Sequence, residues 1–68
     1  MNAFSDRLQQ LRTDANLTQL QLAMILKTTQ RRISYFETGK VEPDLTTLIA
    51  IAKFFEVTTD FLLGLNDY

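Results

Sequence analysis

The sequence predicts a small all-α fold of five helices. Apolar residues recur at helical spacing along the chain, and a residue that can cap a helix precedes most of these segments. The one candidate strand, Val57-Thr58-Thr59, is too short and lies between cap signals. Because 68 residues suffice for one small domain, we expect residues 1–68 to form a single unit.

The first two helices are predicted over about residues 3–14 and 18–26. Asn16 favours a stop between them, because asparagine tolerates the left-handed backbone conformation. Thr18 and Gln21 have the spacing of a capping box, in which each side chain bonds the other residue's backbone N–H. The side chains expected to face inward are Phe4, Leu8, Leu11, Ala15, Leu22, Ala23 and Leu26.

Three further helices are predicted over residues 30 to about 38, 45–55 and 60–63. Their expected caps are Thr29, Asp44 and either Thr58 or Thr59, whose side-chain oxygens can accept from unpaired backbone N–H groups. Gly39 and Gly64 follow the third and last helices, where a residue with positive φ ends a helix. The expected inward residues are Ile33, Phe36, Leu48, Ile51, Ala52 and Phe55.

The break between the second and third helices is only two residues long, Lys27 and Thr28. Two short helices set at a steep angle across a turn of three or four residues form a helix-turn-helix, and the second of them fits the DNA major groove. That helix begins with Gln30 and Arg31, whose side-chain types form bidentate hydrogen bonds with adenine and guanine, respectively. The sequence therefore predicts double-stranded DNA as a partner.

The expected DNA contacts surround the start of the third helix. Ser34 and Tyr35 lie with Gln30 on the side opposite the inward residues, and Tyr35 is expected at a thymine methyl or a phosphate. Arg32 is expected to point sideways, toward a DNA backbone. Helix N-termini favour phosphate through their free N–H groups, and a lysine just past a helix suits the same contact. The full expected set is Thr18, Gln19, Thr29, Gln30, Arg31, Arg32, Ser34, Tyr35 and Lys40.

Charge is unevenly distributed along the chain, although the net charge is only −1. Residues 1–40 hold six basic and three acidic side chains, a balance of +3, whereas residues 41–68 hold one and five, a balance of −4. This asymmetry indicates a basic face and an acidic back. The field at the binding face governs the approach to DNA more than the net charge does.

The composition argues against several other classes of protein. The chain has no Cys and no His, and a fold this small has no room for a sizeable cleft, so we expect neither an enzyme nor a metal or other cofactor. No apolar run approaches the roughly 20 residues that span a bilayer. Residues 1–11 lack the pattern of a signal peptide. We therefore expect no membrane association and a cytoplasmic location.

Several short motifs are spread over about residues 4–64. Each motif alone is a weak indication of a protein family, but their combination is specific. They are Leu17-Thr18-Gln19, Leu22-Ala23, Ile33-Ser34, Glu37-x-Gly39-Lys40, Pro43, Leu48, Ala52 and Val57-x-x-Asp60-x-Leu62-Leu63-Gly64. Together they resemble the lambda-repressor/Cro-like helix-turn-helix family, also called the XRE family. The resemblance implies a compact five-helix domain that regulates transcription, in a repressor-like manner, as a homodimer on a palindromic operator. It also implies that Gln30 reads adenine.

The same resemblance implies contacts within and between chains. Arg12, near the end of the first helix, is expected to pair with Glu37, near the end of the third. The dimer is expected to use the loop after the third helix and the last helix. The candidate residues are Val41, Pro43, Phe61 and Leu65.

Five residues depart from the family pattern. Lys27 stands where the family often has Gly, which implies backbone strain on the order of 1 kcal/mol unless the turn differs. Thr28 replaces the usual apolar residue beside the turn. Leu20, Met24 and Ile25 occupy positions that are commonly polar; they either pack against the first or last helix or form an apolar patch of the kind that marks a partner surface. The second alternative predicts an antitoxin-type or other protein-interaction module.

Overall fold

The computed structural model describes residues 2–68, which form five α-helices. They are α1 (Ala3–Asp14), α2 (Gln19–Leu26), α3 (Gln30–Thr38), α4 (Leu45–Phe55) and α5 (Thr59–Leu62). Residues 2–68 contain no strand, and the predicted all-α fold is confirmed. The bounds of α1, α3 and α4 match the prediction. Helix α5 begins and ends one residue earlier than expected, because Thr58 rather than Thr59 is its cap.

Most of the helix starts are fixed by side chains of the expected type. The Thr18 hydroxyl accepts from the Gln21 backbone N–H while the Gln21 side chain accepts from the Thr18 N–H, which completes the capping box. Thr29 and Thr58 cap α3 and α5 in the same way. Asn2 caps α1, with its side-chain oxygen 2.9 Å from the Ser5 nitrogen. These local bonds satisfy N–H groups that would otherwise lack partners.

Asp44 is the exception, and the prediction that its side chain caps α4 is wrong. Asp44 holds the N-cap position with an extended backbone, but its carboxylate makes no bond to the backbone of the first turn. The carboxylate instead accepts hydrogen bonds from the Thr47 hydroxyl and from the Arg32 guanidinium. A charged donor makes a stronger bond than a neutral backbone N–H, so the side chain turns toward α3.

The core draws apolar side chains from all five helices. Phe4 and Phe36 meet edge to face with ring centroids 6.0 Å apart, which joins α1 to α3. The buried set is Phe4, Leu8, Leu22, Ala23, Ile33, Phe36, Leu48, Ile51, Ala52 and Leu62. Leu11, Leu26 and Phe55 are partly buried against it. Ala15 is exposed, contrary to the prediction, because α1 ends at Asp14.

Within residues 2–68, three non-glycine residues adopt the left-handed conformation at helix ends. Asn16 has the expected positive φ of 58°, and Glu56 has a φ of 55° that the sequence analysis did not predict. Lys27 ends α2 at a φ of 58°, so the turn keeps the family's geometry without the glycine. The expected strain at Lys27 is therefore present in this turn.

No helix within residues 2–68 combines the length and apolar character needed to cross a bilayer.

Candidate nucleic-acid interface

Helix α3 is held by its inward face and presents its outward face to solvent. Ile33 and Phe36 are completely buried against α1 and α2. The Lys27 turn and the Thr29 cap set where α3 begins, since the Thr29 hydroxyl accepts from the Arg32 N–H at 3.1 Å. The start of α3 is therefore fixed by the turn before it and by the cap bond to its first turn.

The outward face of α3 carries the residues predicted to read DNA. Gln30 and Arg31 are exposed, and Ser34 and Tyr35 are half-buried. A shallow open cavity of about 350 Å³ lies along this face. It is lined by Thr29, Arg31, Arg32, Tyr35, Val41 and Glu42. The structure thus brings four of the predicted contact residues to one concave surface.

Lys40 belongs to the same surface through Tyr35. Gly39 turns the chain at a φ of 78°, and the Lys40 N–H then donates to the Tyr35 carbonyl at 2.9 Å. The Lys40 Nζ lies 5.1 Å from the centroid of the Tyr35 ring, within cation–π range. A tyrosine of α3 therefore places a lysine of the following loop beside the outward face.

Arg12 and Glu37 form the pair implied by the family resemblance. Arg12 Nε lies 2.6 Å from Glu37 Oε2, and Arg12 Nη2 lies 3.1 Å from Glu37 Oε1. Hydrogen bonding to Glu37 raises the pKa of Arg12, against the opposing effect of burial. Arg12 also donates to the Leu17 carbonyl at 2.8 Å, so it joins α1, α3 and the approach to α2.

Gln19 is tied to the same carboxylate. Its Nε2 donates to Glu37 Oε1 at 3.2 Å, and its side chain is half-buried. The hydroxyls of Thr18 and Thr29, in contrast, are engaged in helix caps. Gln19 is therefore a surface amide whose orientation is set by a buried acid.

Arg32, which was expected to point toward a DNA backbone, forms an ion pair within the chain. Its Nη2 donates to Asp44 Oδ1 at 2.8 Å, and its guanidinium lies 5.2 Å from the Phe36 ring centroid. The sequence did not predict Asp44 as a partner, because Arg32 lies on α3 and Asp44 lies twelve positions later, at the cap before α4. The available signal was Asp44 itself, just before the apolar stripe of α4, and it indicated an ordinary cap.

The four dimer candidates have different local surroundings. Val41 borders the cavity beside α3, whereas Pro43 borders a second cavity of about 230 Å³ with Phe4 and Leu63. Leu65 is 72% exposed. Phe61 is half-buried under Arg7, whose guanidinium carbon lies 4.4 Å from the ring centroid.

Arg7 was also missed by the sequence analysis. Its guanidinium donates to the carbonyls of Phe61 and Asn66 and lies 3.6 Å from an Asp67 carboxylate oxygen. It therefore holds the segment after α5 against α1. No local sequence pattern predicts contacts across more than fifty residues.

The unusual apolar residues of α2 are at the surface. Leu20, Met24 and Ile25 are 53%, 71% and 42% exposed. The alternative in which they pack against the first or last helix is therefore wrong, and they form an apolar patch on α2.

Residues 8–62 match the family described as helix-turn-helix. The chain belongs to this helix-turn-helix family. The resemblance to the lambda-repressor/Cro-like group is confirmed. The chain is 52% identical over 61 residues to the HTH-type transcriptional activator BcrR of Enterococcus faecalis. It is 40% identical over 60 residues to YonR, an uncharacterized HTH-type transcriptional regulator derived from the SPbeta prophage of Bacillus subtilis (strain 168).

These alignments cover 90% and 88% of this helix-turn-helix chain but 30% and 56% of the two relatives. The P22 c2 repressor in complex with a synthetic operator has the same fold, with a TM-score of 0.86 at 24% identity over 93% of this chain and 96% of that one. A transcriptional regulator from Listeria innocua matches with a TM-score of 0.85 at 31% identity, over 90% of this chain and 57% of the other.

Proposed function

We propose that this chain is a sequence-specific DNA-binding regulator of transcription that places α3 in the major groove. The observation that carries the proposal is the outward face of α3, where exposed Gln30 and Arg31 project from a helix anchored by buried Ile33 and Phe36. Gln and Arg are the side chains that bond adenine and guanine in bidentate fashion. The relatives named as transcriptional regulators support the same role.

The surrounding residues supply phosphate contacts in this proposal. The first turns of α2 and α3 supply the backbone N–H groups that the Thr18 and Thr29 caps leave free. Gln19 adds an amide, and Lys40 adds a positive charge beside Tyr35. These contacts hold the helix in register, and the base contacts provide sequence preference.

A homodimer on a palindromic operator is part of the proposal. Each α3 must enter the major groove from the same side of the duplex, so half-site centres lie about 10 base pairs apart. The proposed dimer surface lies among Val41, Pro43, Phe61 and Leu65. Repressor-like action in the cytoplasm is proposed as well; BcrR is named an activator, so a promoter-reporter assay determines the direction.

Selection of bound sequences from a random duplex library tests the function. The intact chain should enrich a palindrome, and its affinity should fall steeply with salt because phosphate contacts release counterions. Gln30→Ala/Arg31→Ala is the matched variant and should enrich no motif. Enrichment of no sequence by the intact chain, together with a flat salt response, would overturn the proposal.

A second candidate function is binding to a protein partner, as in an antitoxin. The exposed patch of Leu20, Met24 and Ile25 favours it, because exposed apolar clusters mark interaction surfaces. Co-purification with the product of a neighbouring gene tests this role. Leu20→Gln/Met24→Gln should abolish a specific complex and leave DNA binding intact. A complex that survives this variant would place the contact elsewhere.

A further inference from the structure

One cation of the candidate interface is already paired within the chain. Arg32 borders the cavity along the outward face of α3, together with Arg31 and Tyr35. Its Nη2 lies 2.8 Å from Asp44 Oδ1, and the two side chains are 43% and 54% exposed. Both side chains are therefore accessible to solvent, and Arg32 borders the surface proposed to meet DNA.

Asp44 is held in place for this contact. Its carboxylate accepts from the Thr47 hydroxyl as well as from Arg32 and leaves the first turn of α4 without a side-chain cap. The Thr47 hydrogen bond, followed by the bond from Arg32, holds the pKa of Asp44 below its usual range. The carboxylate, like any ordinary aspartate, is ionised at neutral pH, and it neutralises the charge of Arg32.

We infer that Asp44 is a positioning residue that limits the affinity for DNA by competing with the phosphate backbone for Arg32. This inference rests on the proposed function. A phosphate that approached Arg32 would have to displace Asp44 or share the guanidinium with a second negative charge. The pair as it stands therefore brings no net positive charge to the interface.

The energetic balance favours release of Arg32 once Asp44 is neutral. An exposed ion pair stabilises a fold only weakly, because solvent screens it, so losing this pair leaves the fold intact. A guanidinium that gains a phosphate releases condensed counterions and strengthens binding in a salt-dependent manner. Arg32 should thus contribute little to binding in the natural chain and substantially after Asp44 is neutralised.

Asp44→Asn is the test variant, because asparagine keeps the size of the side chain and is an equally good N-cap residue. Asp60→Asn on α5 is the control, since it makes the same charge change outside the ion pair. Affinity for the selected duplex is measured for both variants, for Arg32→Ala and for the combination with Asp44→Asn. Urea unfolding verifies that each variant is folded, and Asp44→Ser serves as a second neutral cap.

Asp44→Asn should bind more tightly than the natural chain and Asp60→Asn. One additional phosphate contact makes this advantage about 3.5-fold larger at roughly 50 mM than at roughly 200 mM salt. Arg32→Ala should remove the whole advantage in the double variant, because the site is then as neutral as in the natural chain. Arg32→Ala alone should bind no more tightly than the natural chain, because it leaves the Asp44 carboxylate unpaired.

Binding by Asp44→Asn that equals that of Asp60→Asn would overturn the inference. Weaker binding would also overturn it, since Asp44 would then present Arg32 to phosphate. Either result, with a natural chain that still selects its operator, leaves the proposed function standing. If the natural chain binds no duplex, the result overturns both the inference about Asp44 and the proposed function.

Discussion

Glu37 accepts two hydrogen bonds from Arg12, at 2.6 and 3.1 Å, although only 3% of the Glu37 side chain is exposed. The bond joins the last turn of α1 to the last turn of α3. Burying two charges is costly, so the net contribution of such a pair is small while each partner depends strongly on the other.

Arg12→Met should therefore lower the free energy of unfolding by about 3–5 kcal/mol, because it leaves a buried carboxylate unpaired. The double variant Arg12→Met/Glu37→Met should lower the free energy of unfolding much less, since no charge remains buried. Urea denaturation followed by circular dichroism measures both. A single variant no less stable than the double variant would contradict a coupled pair.

Lys27→Gly should raise the free energy of unfolding by up to about 1 kcal/mol. Glycine adopts a φ of 58° without the steric cost of a Cβ, and this gain exceeds the added freedom of the unfolded chain. Lys53→Gly, in the last turn of α4, is the matched control and should lower stability by about 1 kcal/mol. Thermal unfolding should shift the two midpoints in opposite directions.

Gly64→Ala should destabilise the fold for two separable reasons. Gly64 has a φ of 79°, and a Cβ there would lie 2.6 Å from the Ala3 Cβ. Ala3→Gly/Gly64→Ala removes the close contact and keeps the unfavourable φ, so it should recover part of the loss. Stability that is unchanged by the second substitution would assign the whole cost to the backbone.

Arg31→Ala should relax the preference for one base of the operator by about 1–3 kcal/mol. Lys40→Ala is the comparison, because under the proposed function it removes a phosphate contact, which should weaken binding to all sequences equally and lower the salt slope by about 1. Competition between operator variants measures both. An Arg31→Ala chain with unchanged preference would exclude base reading by Arg31.

Thr47→Val should raise the pKa of Asp44, because the Thr47 hydroxyl is the largest cause of its lowered value. A carboxyl with a lower pKa in the folded state stabilises the fold at neutral pH, and this contribution is lost as the pH falls through the folded pKa. Carbon-detected NMR titration of Asp44 measures the change. Thr46→Val, at the preceding position of α4, should leave the Asp44 pKa unaffected.

Features set by local chemistry were predictable from the sequence. Thr18, Thr29 and Thr58 each satisfy a backbone N–H three residues ahead. The sequence located the starts of α2 and α3 in this way, but it left the cap of α5 open between Thr58 and Thr59. Asp44 has the same kind of local signal, but a cation on α3 overrides it. The Arg12–Glu37 pair was reached only through the family resemblance.

The sequence pattern did not determine whether the apolar patch of Leu20, Met24 and Ile25 on α2 is exposed or covered. Leu20 and Met24 share a face of α2, but the packing of neighbouring helices determines whether that face is covered. The contacts of Arg7 with Phe61 and Asn66 connect opposite ends of the chain. Such contacts follow from the complete fold and leave no mark in a short window of sequence.

The carboxylate of Glu37 holds both Arg12 and the surface amide of Gln19. Under the proposed function, a genetic screen for lost operator binding would score Glu37 with the residues that touch DNA, although it is buried. Measuring the folded fraction of each Glu37 variant would separate loss of folding from loss of a contact with DNA. Selection on operator recognition would then restrict the replacements tolerated at this interior position more tightly than packing alone does, and would tie the evolution of stability to that of recognition.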